Sequence, residues 1–262
     1  MHPVYLTTFL RQLLVRNVAR NPEPADAHEV SDEPSGQTLL IVAATRESAE
    51  DFSRASPLGC SLRRLSFESR LEARVAFLNR DGLPAVYNRQ IIEENREKIL
   101  LFVHDDVWLD DFFVYERLHE ALGAFGIVGL AGNTRRLPRQ PAWGFSTEEP
   151  FTIEDRRYPS GVVSHGEKPW GTPLHCGPPG LACRMLDGVF LAVRCRTLLE
   201  SGVRFDERFG FDFYDLDFCR SAEVAGVSMG TWPIAITHTS TGKFGAPAWH
   251  DGLKAYREKW GD

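Results

Sequence analysis

From Gln37 to His238 the chain repeats one rhythm: a short unbroken apolar run, then a stretch whose apolar residues recur every three or four positions. The runs in "TLLIVAATRES", "ILLFVHDD", "GIVGLAG", "RMLDGVFLAVR" and "VSMGTWPIAITH" predict buried strands, the last closing on His238. A strand covered on both faces has no polar side to show, so its sequence reads as continuous. "PAVYNRQIIEENREK", with Val86, Ile91, Ile92 and Asn95 in helical register, predicts a helix, as does "VYERLHEALGAF". "CRTLLESG" and "FYDLDFCRSAEVAG" predict two more, stopped at Gly202 and Gly226. Strands alternating with helices predict an α/β fold with a mostly parallel central sheet and helices on both faces.

Three segments depart from this rhythm. Residues 133–181 are rich in Pro, Gly, Trp and His, and are expected to form one long loop region; loops of that length inside a domain usually carry function. Residues 21–36, "NPEPADAHEVSDEPSG", have the composition of a solvated acidic linker, which places the start of the main domain, 37–262, at Gln37. Residues 4–20 predict an amphipathic helix whose only charges are Arg11, Arg16 and Arg20. Two readings of that helix stay open: packing on its own domain or a second copy of the chain, or peripheral contact with the inner face of a membrane. Arginine interrupts its apolar stretch too early for a secretory signal.

Composition narrows the function classes. A net charge of -6 argues against nucleic-acid binding, which needs a basic face. Any bound phosphate would then need a divalent cation or local arginines. Five cysteines without a CxxC pair indicate neither a zinc ribbon nor a disulfide framework, and point to a reducing, cytoplasmic setting. No apolar run approaches the roughly 20 residues that span a bilayer.

The candidate chemistry sits at strand ends, where ligands bind in open parallel sheets. "ILLFVHDDVWLDD" runs five apolar residues into His104, Asp105 and Asp106. Crowded carboxylates repel one another unless a cation compensates, and Mg²⁺ is typically held by one or two carboxylates together with substrate phosphates. Asp106 is therefore read as a metal ligand, whereas Asp110 and Asp111 are read as solvated loop or first-turn acids. His104 by itself reads equally well as a hydrogen-bonded core histidine. Downstream, Asp215 and Asp217 open a helix beside Phe211, Phe213 and Tyr214. Desolvation by those rings would raise the proton affinity of an acid and suit it to general-base work.

Taken in order, the strand-terminal "HDD", the "DG" at Asp187–Gly188, "RFDE", "FYDLDFC", a glycine-ended helix and a strand ending in histidine resemble the metal-dependent GT-A glycosyltransferases, most closely their family 2-like bacterial branch. The resemblance covers residues 38 to about 245. It implies a Rossmann-like GT-A fold, a nucleotide-sugar donor, and Mn²⁺ or Mg²⁺ as cofactor. It implies donor contacts at Thr45, Arg46, Asp105, Asp187 and Gly188, metal contacts at Asp106, His104 and His238, and a catalytic base at Asp215. Tyr214, Asp217 and Trp170 fall on the acceptor side, with Trp143 and His175 in the same wall or lid. His104 stands where the family's DxD motif has its first aspartate, and Tyr214 where its ED pair has glutamate. Imidazole in place of carboxylate favours Mn²⁺ over Mg²⁺.

The expected activity is inverting transfer of a sugar from a nucleotide donor to a hydroxyl on a glycan, lipid-linked or protein acceptor. Two alternatives remain. A nucleotidyltransferase would ordinarily show a glycine-rich phosphate loop, which "AATRESAEDF" lacks. A non-catalytic binding module could keep the fold without the chemistry.

Overall fold

The computed structural model describes residues 37–148, 151–240 and 244–261, so the expected helix at 4–20 and the linker at 21–36 lie outside the described residues. In chain order the first half contains β1 (Leu39–Ala44), α1 (Ala49–Ala55), α2 (Pro57–Arg64), β2 (Leu71–Ala76), α3 (Leu83–Asn88), β3 (Ile99–Val103), β4 (Val107–Leu109), α4 (Val114–Ala124), β5 (Ile127–Gly129) and β6 (Ala131–Asn133). The second half contains β7 (Phe145–Glu148), β8 (Phe151–Ile153), β9 (Pro159–His165), β10 (Thr172–Gly177), β11 (Met185–Leu186), β12 (Phe190–Arg194), α5 (Cys195–Ser201), α6 (Tyr214–Val224), β13 (Met229–Thr231), β14 (Ile236–His238) and α7 (Pro247–Trp260).

The expectation of one mostly parallel central sheet gives way to mixed sheets. The first, in the order β13-β5-β12-β3-β1-β2, has β12 running antiparallel between β3 and β5. The second, β11-β6-β9-β14-β4 with β10 on β9, has four antiparallel pairings and one parallel. Strands β9 and β10 lie inside the region expected as a single loop, and β7 and β8 pair there as a separate hairpin. Pro233 splits the run "VSMGTWPIAITH": β13 stays in the first sheet and β14 joins the second, since proline offers no N–H to continue a ladder. The helix expected through Asn95 stops at Asn88 and is followed by a single 3-10 turn, Glu93–Asn95.

Helices cover both faces of the first sheet, as period-two alternation along its buried strands requires. Leu40, Val42, Leu100, Phe102, Leu191 and Val193 pack toward α3, α5, α6 and α7. Their neighbours Leu39, Ile41, Ile99, Leu101, Phe190 and Ala192 pack toward α1, α2 and α4. α5 ends at Gly202, whose φ of 72° is the left-handed conformation that glycine adopts without strain. Among the described residues no helix is long and apolar enough to cross a membrane.

Candidate metal and catalytic centre

Two reversals of strand direction build the site at the carboxyl end of β3. Because β12 runs against β3, the residues that precede β12 lie beside the end of β3, and the His104 amide donates to the Val189 carbonyl at 3.2 Å. Because β14 runs against β4, His238 pairs with Val107, and the Thr239 amide donates to the Asp106 carbonyl at 3.1 Å. His104, Asp106 and His238 thus meet, their ligand-type atoms all within 4.8 Å of one another. His238 Nε2 lies 3.2 Å from Asp106 Oδ1 and 3.2 Å from Ser240 Oγ. The His165 ring stands 5.9 Å from that of His238, and its buried Nδ1 has no partner among the described residues.

The donor set tests whether a cation would fit. Two ligands on one Mg²⁺-sized ion stand about 3–4.2 Å apart, so a small contraction brings these three onto one centre. Two imidazoles and one carboxylate suit Mn²⁺ or another borderline ion better than Mg²⁺. Burial opposes ionisation of Asp106, but the hydrogen bond from His238 prevails and holds the carboxyl down at about 2. Burial likewise disfavours the charged form of His238, and Asp106 overrides it and raises the imidazole above its ordinary value. Burial pushes His104 below its ordinary value, toward neutral imidazole, the form that ligates metal.

A cleft of about 540 Å³ opens beside this cluster, lined by Thr45, Arg46, Asp105, Asp106 and His104 from the ends of β1 and β3. Thr45 is buried and its hydroxyl accepts from the Glu47 amide at 3.2 Å, which shapes the turn that exposes Arg46. Sequence reasoning missed Asn79, Arg80 and Asp81, which line the same cleft after β2; Phe211, expected as a ring that desolvates the helix-opening acids, lines this cleft too, 5.4 Å from His104. The half-exposed edge strand "LEARVA" carries no apolar run to announce it, so its end went unread.

Behind the metal cluster lies the carboxylate pair Asp187 and Asp215. Asp215 accepts from the amides of Gly188 (Oδ2, 2.9 Å) and Leu216 (Oδ1, 2.8 Å), which hold the carboxylate in place. Burial and then the Asp187 carboxylate push Asp215 up to about 7, outweighing those two donors. Asp187 accepts from Trp143 Nε1 at 2.7 Å and from the Val189 amide at 2.8 Å. Tyr214 joins the two clusters: its hydroxyl lies 2.8 Å from the Gly188 carbonyl and 2.9 Å from His104 Nε2.

Asp217 and Trp170 lie elsewhere. Asp217 is fully buried beneath α7, held by Lys259 Nζ at 2.7 Å and Trp260 Nε1 at 2.8 Å, so it anchors the last helix. Helix geometry turns it away from Asp215. Trp170 is exposed in the β9–β10 turn, 6.3 Å from Phe112, and its amide donates to Asp110. His175 on β10 is exposed too. Asp110, expected as a solvated acid, is instead buried and accepts from Thr237 Oγ1 at 2.6 Å, which ties β14 to the end of β4. Asp111 accepts from the Phe113 amide at 2.8 Å, which closes a turn just ahead of α4 rather than capping it.

No family model matches the sequence, and no curated protein does. Solved structures with a similar chain trace include a mannosyltransferase from Pyrobaculum calidifontis in complex with GDP-Man and Mn²⁺, 13% identical, with 97% of this chain and 72% of that one covered and a TM-score of 0.42. S. aureus TarS is 10% identical over 78% of this chain and 37% of that one, with a TM-score of 0.41. A TarS fragment in complex with UDP is 8% identical, covering 78% and 61%, with a TM-score of 0.39. At these identities and TM-scores the likeness says nothing of which residues act.

Proposed function

We propose that residues 37–262 form a GT-A-type, metal-dependent inverting glycosyltransferase that moves a sugar from a nucleotide donor to a hydroxyl acceptor. The observation that carries this reading is the proximity of two unlike clusters at one strand end. One is a His-Asp-His set suited to a divalent cation. The other is a carboxylate whose proton affinity is raised to about 7. The first suits an anionic leaving group, the second a proton that must be removed.

Thr45, Arg46, Asp105 and the residues after β2 would receive the nucleotide in the cleft. His104, Asp106 and His238 would hold the cation, which when bound offsets the charge of the departing diphosphate. Asp215 takes the proton of the acceptor hydroxyl as its oxygen bonds to the anomeric carbon. The bond from that carbon to the diphosphate oxygen breaks on the opposite face, and its electron pair leaves with the diphosphate. Configuration inverts and no covalent intermediate forms. Asp187 raises the proton affinity of this base, and the Gly188 and Leu216 amides fix its direction.

The test is thermal shift with GDP- and UDP-sugars with and without Mn²⁺, followed by release of nucleotide in the presence of glycan, lipid-linked and peptide acceptors. A donor that binds the folded chain raises Tm by mass action. Metal-dependent stabilisation with transfer supports the reading. Binding without transfer or hydrolysis over a broad acceptor panel would instead make this a nucleotide-sugar-binding module.

A further inference from the structure

The junction between the two clusters is a single phenol. Tyr214 is buried, and its hydroxyl has one proton to give and three groups in reach: the Gly188 carbonyl oxygen at 2.8 Å, His104 Nε2 at 2.9 Å and the buried hydroxyl of Tyr87, whose ring stands 6.0 Å from its own. A carbonyl can only accept, whereas a neutral imidazole nitrogen donates or accepts according to tautomer. If the phenol proton went to His104 Nε2, the buried Gly188 carbonyl would lose this donor. Gly188, His104 and Tyr214 are all satisfied when Tyr214 donates to Gly188 and accepts from His104 Nε2–H, which leaves the second lone pair of the phenol oxygen for the Tyr87 hydroxyl to donate to. Gly188 itself makes room for the contact, since a Cβ at that position would lie 2.3 Å from the Tyr214 hydroxyl oxygen.

We propose that Tyr214 is a positioning residue that fixes the tautomer of His104, holding the proton on Nε2 and leaving Nδ1 as the nitrogen with a free lone pair for a cation. This rests on the metal-centre reading given above. An imidazole ligand needs its other nitrogen held by a partner that sets tautomer and ring orientation, and loss of such a partner typically weakens metal binding about 10–100-fold. Here the partner is a phenol placed where the resembled family carries glutamate, and the first ligand is histidine where that family carries aspartate.

The tautomer can be read in the full-length, metal-free protein by long-range nitrogen-15 NMR of the histidine rings, with His104 assigned by comparison with His104→Gln. The expected wild-type spectrum shows one tautomer, protonated at Nε2. Tyr214→Phe should give a mixed or reversed tautomer and about 10- to 100-fold weaker Mn²⁺ binding by calorimetry. A wild-type His104 protonated at Nδ1 overturns the proposal, and this measurement needs no variant that might fail to fold. So does a Tyr214→Phe protein with unchanged tautomer and Mn²⁺ affinity. A fixed Nε2–H tautomer in a wild-type chain that binds no Mn²⁺ overturns the metal reading itself. A mobile tautomer in a chain that binds Mn²⁺ removes only the role of Tyr214.

Discussion

Replacing Asp215 with Asn should make the protein more stable at alkaline pH while disabling it. The folded state raises this carboxyl from 3.8 to about 7, through burial first and the neighbouring Asp187 second. A raised folded value means that the native state holds the proton where the unfolded state has released it. The stability the group contributes is therefore complete below about pH 4, declines as pH rises toward 7, and is gone above. Some three units at 1.36 kcal/mol each make the ionised group cost about 4 kcal/mol above pH 7. Asparagine avoids that penalty but offers one acceptor oxygen to two donors, the Gly188 and Leu216 amides, and an unmet buried donor costs about 1–3 kcal/mol. The net expectation is a gain of about 1–3 kcal/mol at pH 8.5. At pH 4, where the wild-type carboxyl is neutral, a loss of similar size is expected. Urea unfolding of both proteins at several pH values reads the difference, and groups common to both cancel. Transfer rate on the same samples should fall about 10²- to 10⁴-fold, the usual contribution of a general base. A stability difference that does not change with pH would refute the desolvated, Asp187-coupled carboxylate. Near-normal turnover would remove Asp215 from the mechanism.

Asp106→Ala should abolish the Mn²⁺-dependent thermal shift with nucleotide sugars while the chain stays folded, because it removes the one carboxylate in the cluster; calorimetric titration with Mn²⁺ alone checks it. Gly188→Ala should lower Tm and weaken Mn²⁺ binding together, since the added Cβ would meet the Tyr214 hydroxyl at 2.3 Å and Asp215 Cβ at 2.9 Å; an unchanged Tm would mean the loop yields freely. Asp217→Ala should leave donor binding intact and lower stability by about 2 kcal/mol, less than the 3–5 typical of a broken buried pair because Lys259 keeps Asp206; a Tm drop of roughly 4–8 °C is expected.

What the sequence made legible follows from burial. The strands β1, β3 and β12 are covered on both faces, so their apolar runs are unbroken and their polar ends stand out; His104, Asp106 and Asp187 were readable for that reason. Strand β2 sits at the sheet edge with half-exposed residues, and nothing in "LEARVA" distinguishes it from a loop, so Asn79, Arg80 and Asp81 in the cleft were not found. Asp217 drew notice for its spacing to Asp215 and its aromatic neighbours, but two residues along a helix point to nearly opposite sides. Within 133–181, β7 and β8 are short and partly exposed, while β9 and β10 are longer but carry Pro and Gly, which mimic loop composition.

Strand direction was the property least available to pattern reading, and the site depends on it. An apolar run looks the same read either way, so "VFLAVR" announces a strand without saying that it opposes β3. Were β12 parallel to β3, its leading residues Asp187, Gly188 and Val189 would lie at the far end of the sheet from His104. Tyr214 would then have no Gly188 carbonyl to hold, and Asp215 would lose both the Gly188 amide and the carboxylate that raises its proton affinity. The same holds on the other flank, where β14 opposes β4 and delivers His238 to Asp106. The mixed sheets are thus the means by which residues more than a hundred positions apart in the chain converge on one strand end, with Tyr214 as the contact between them.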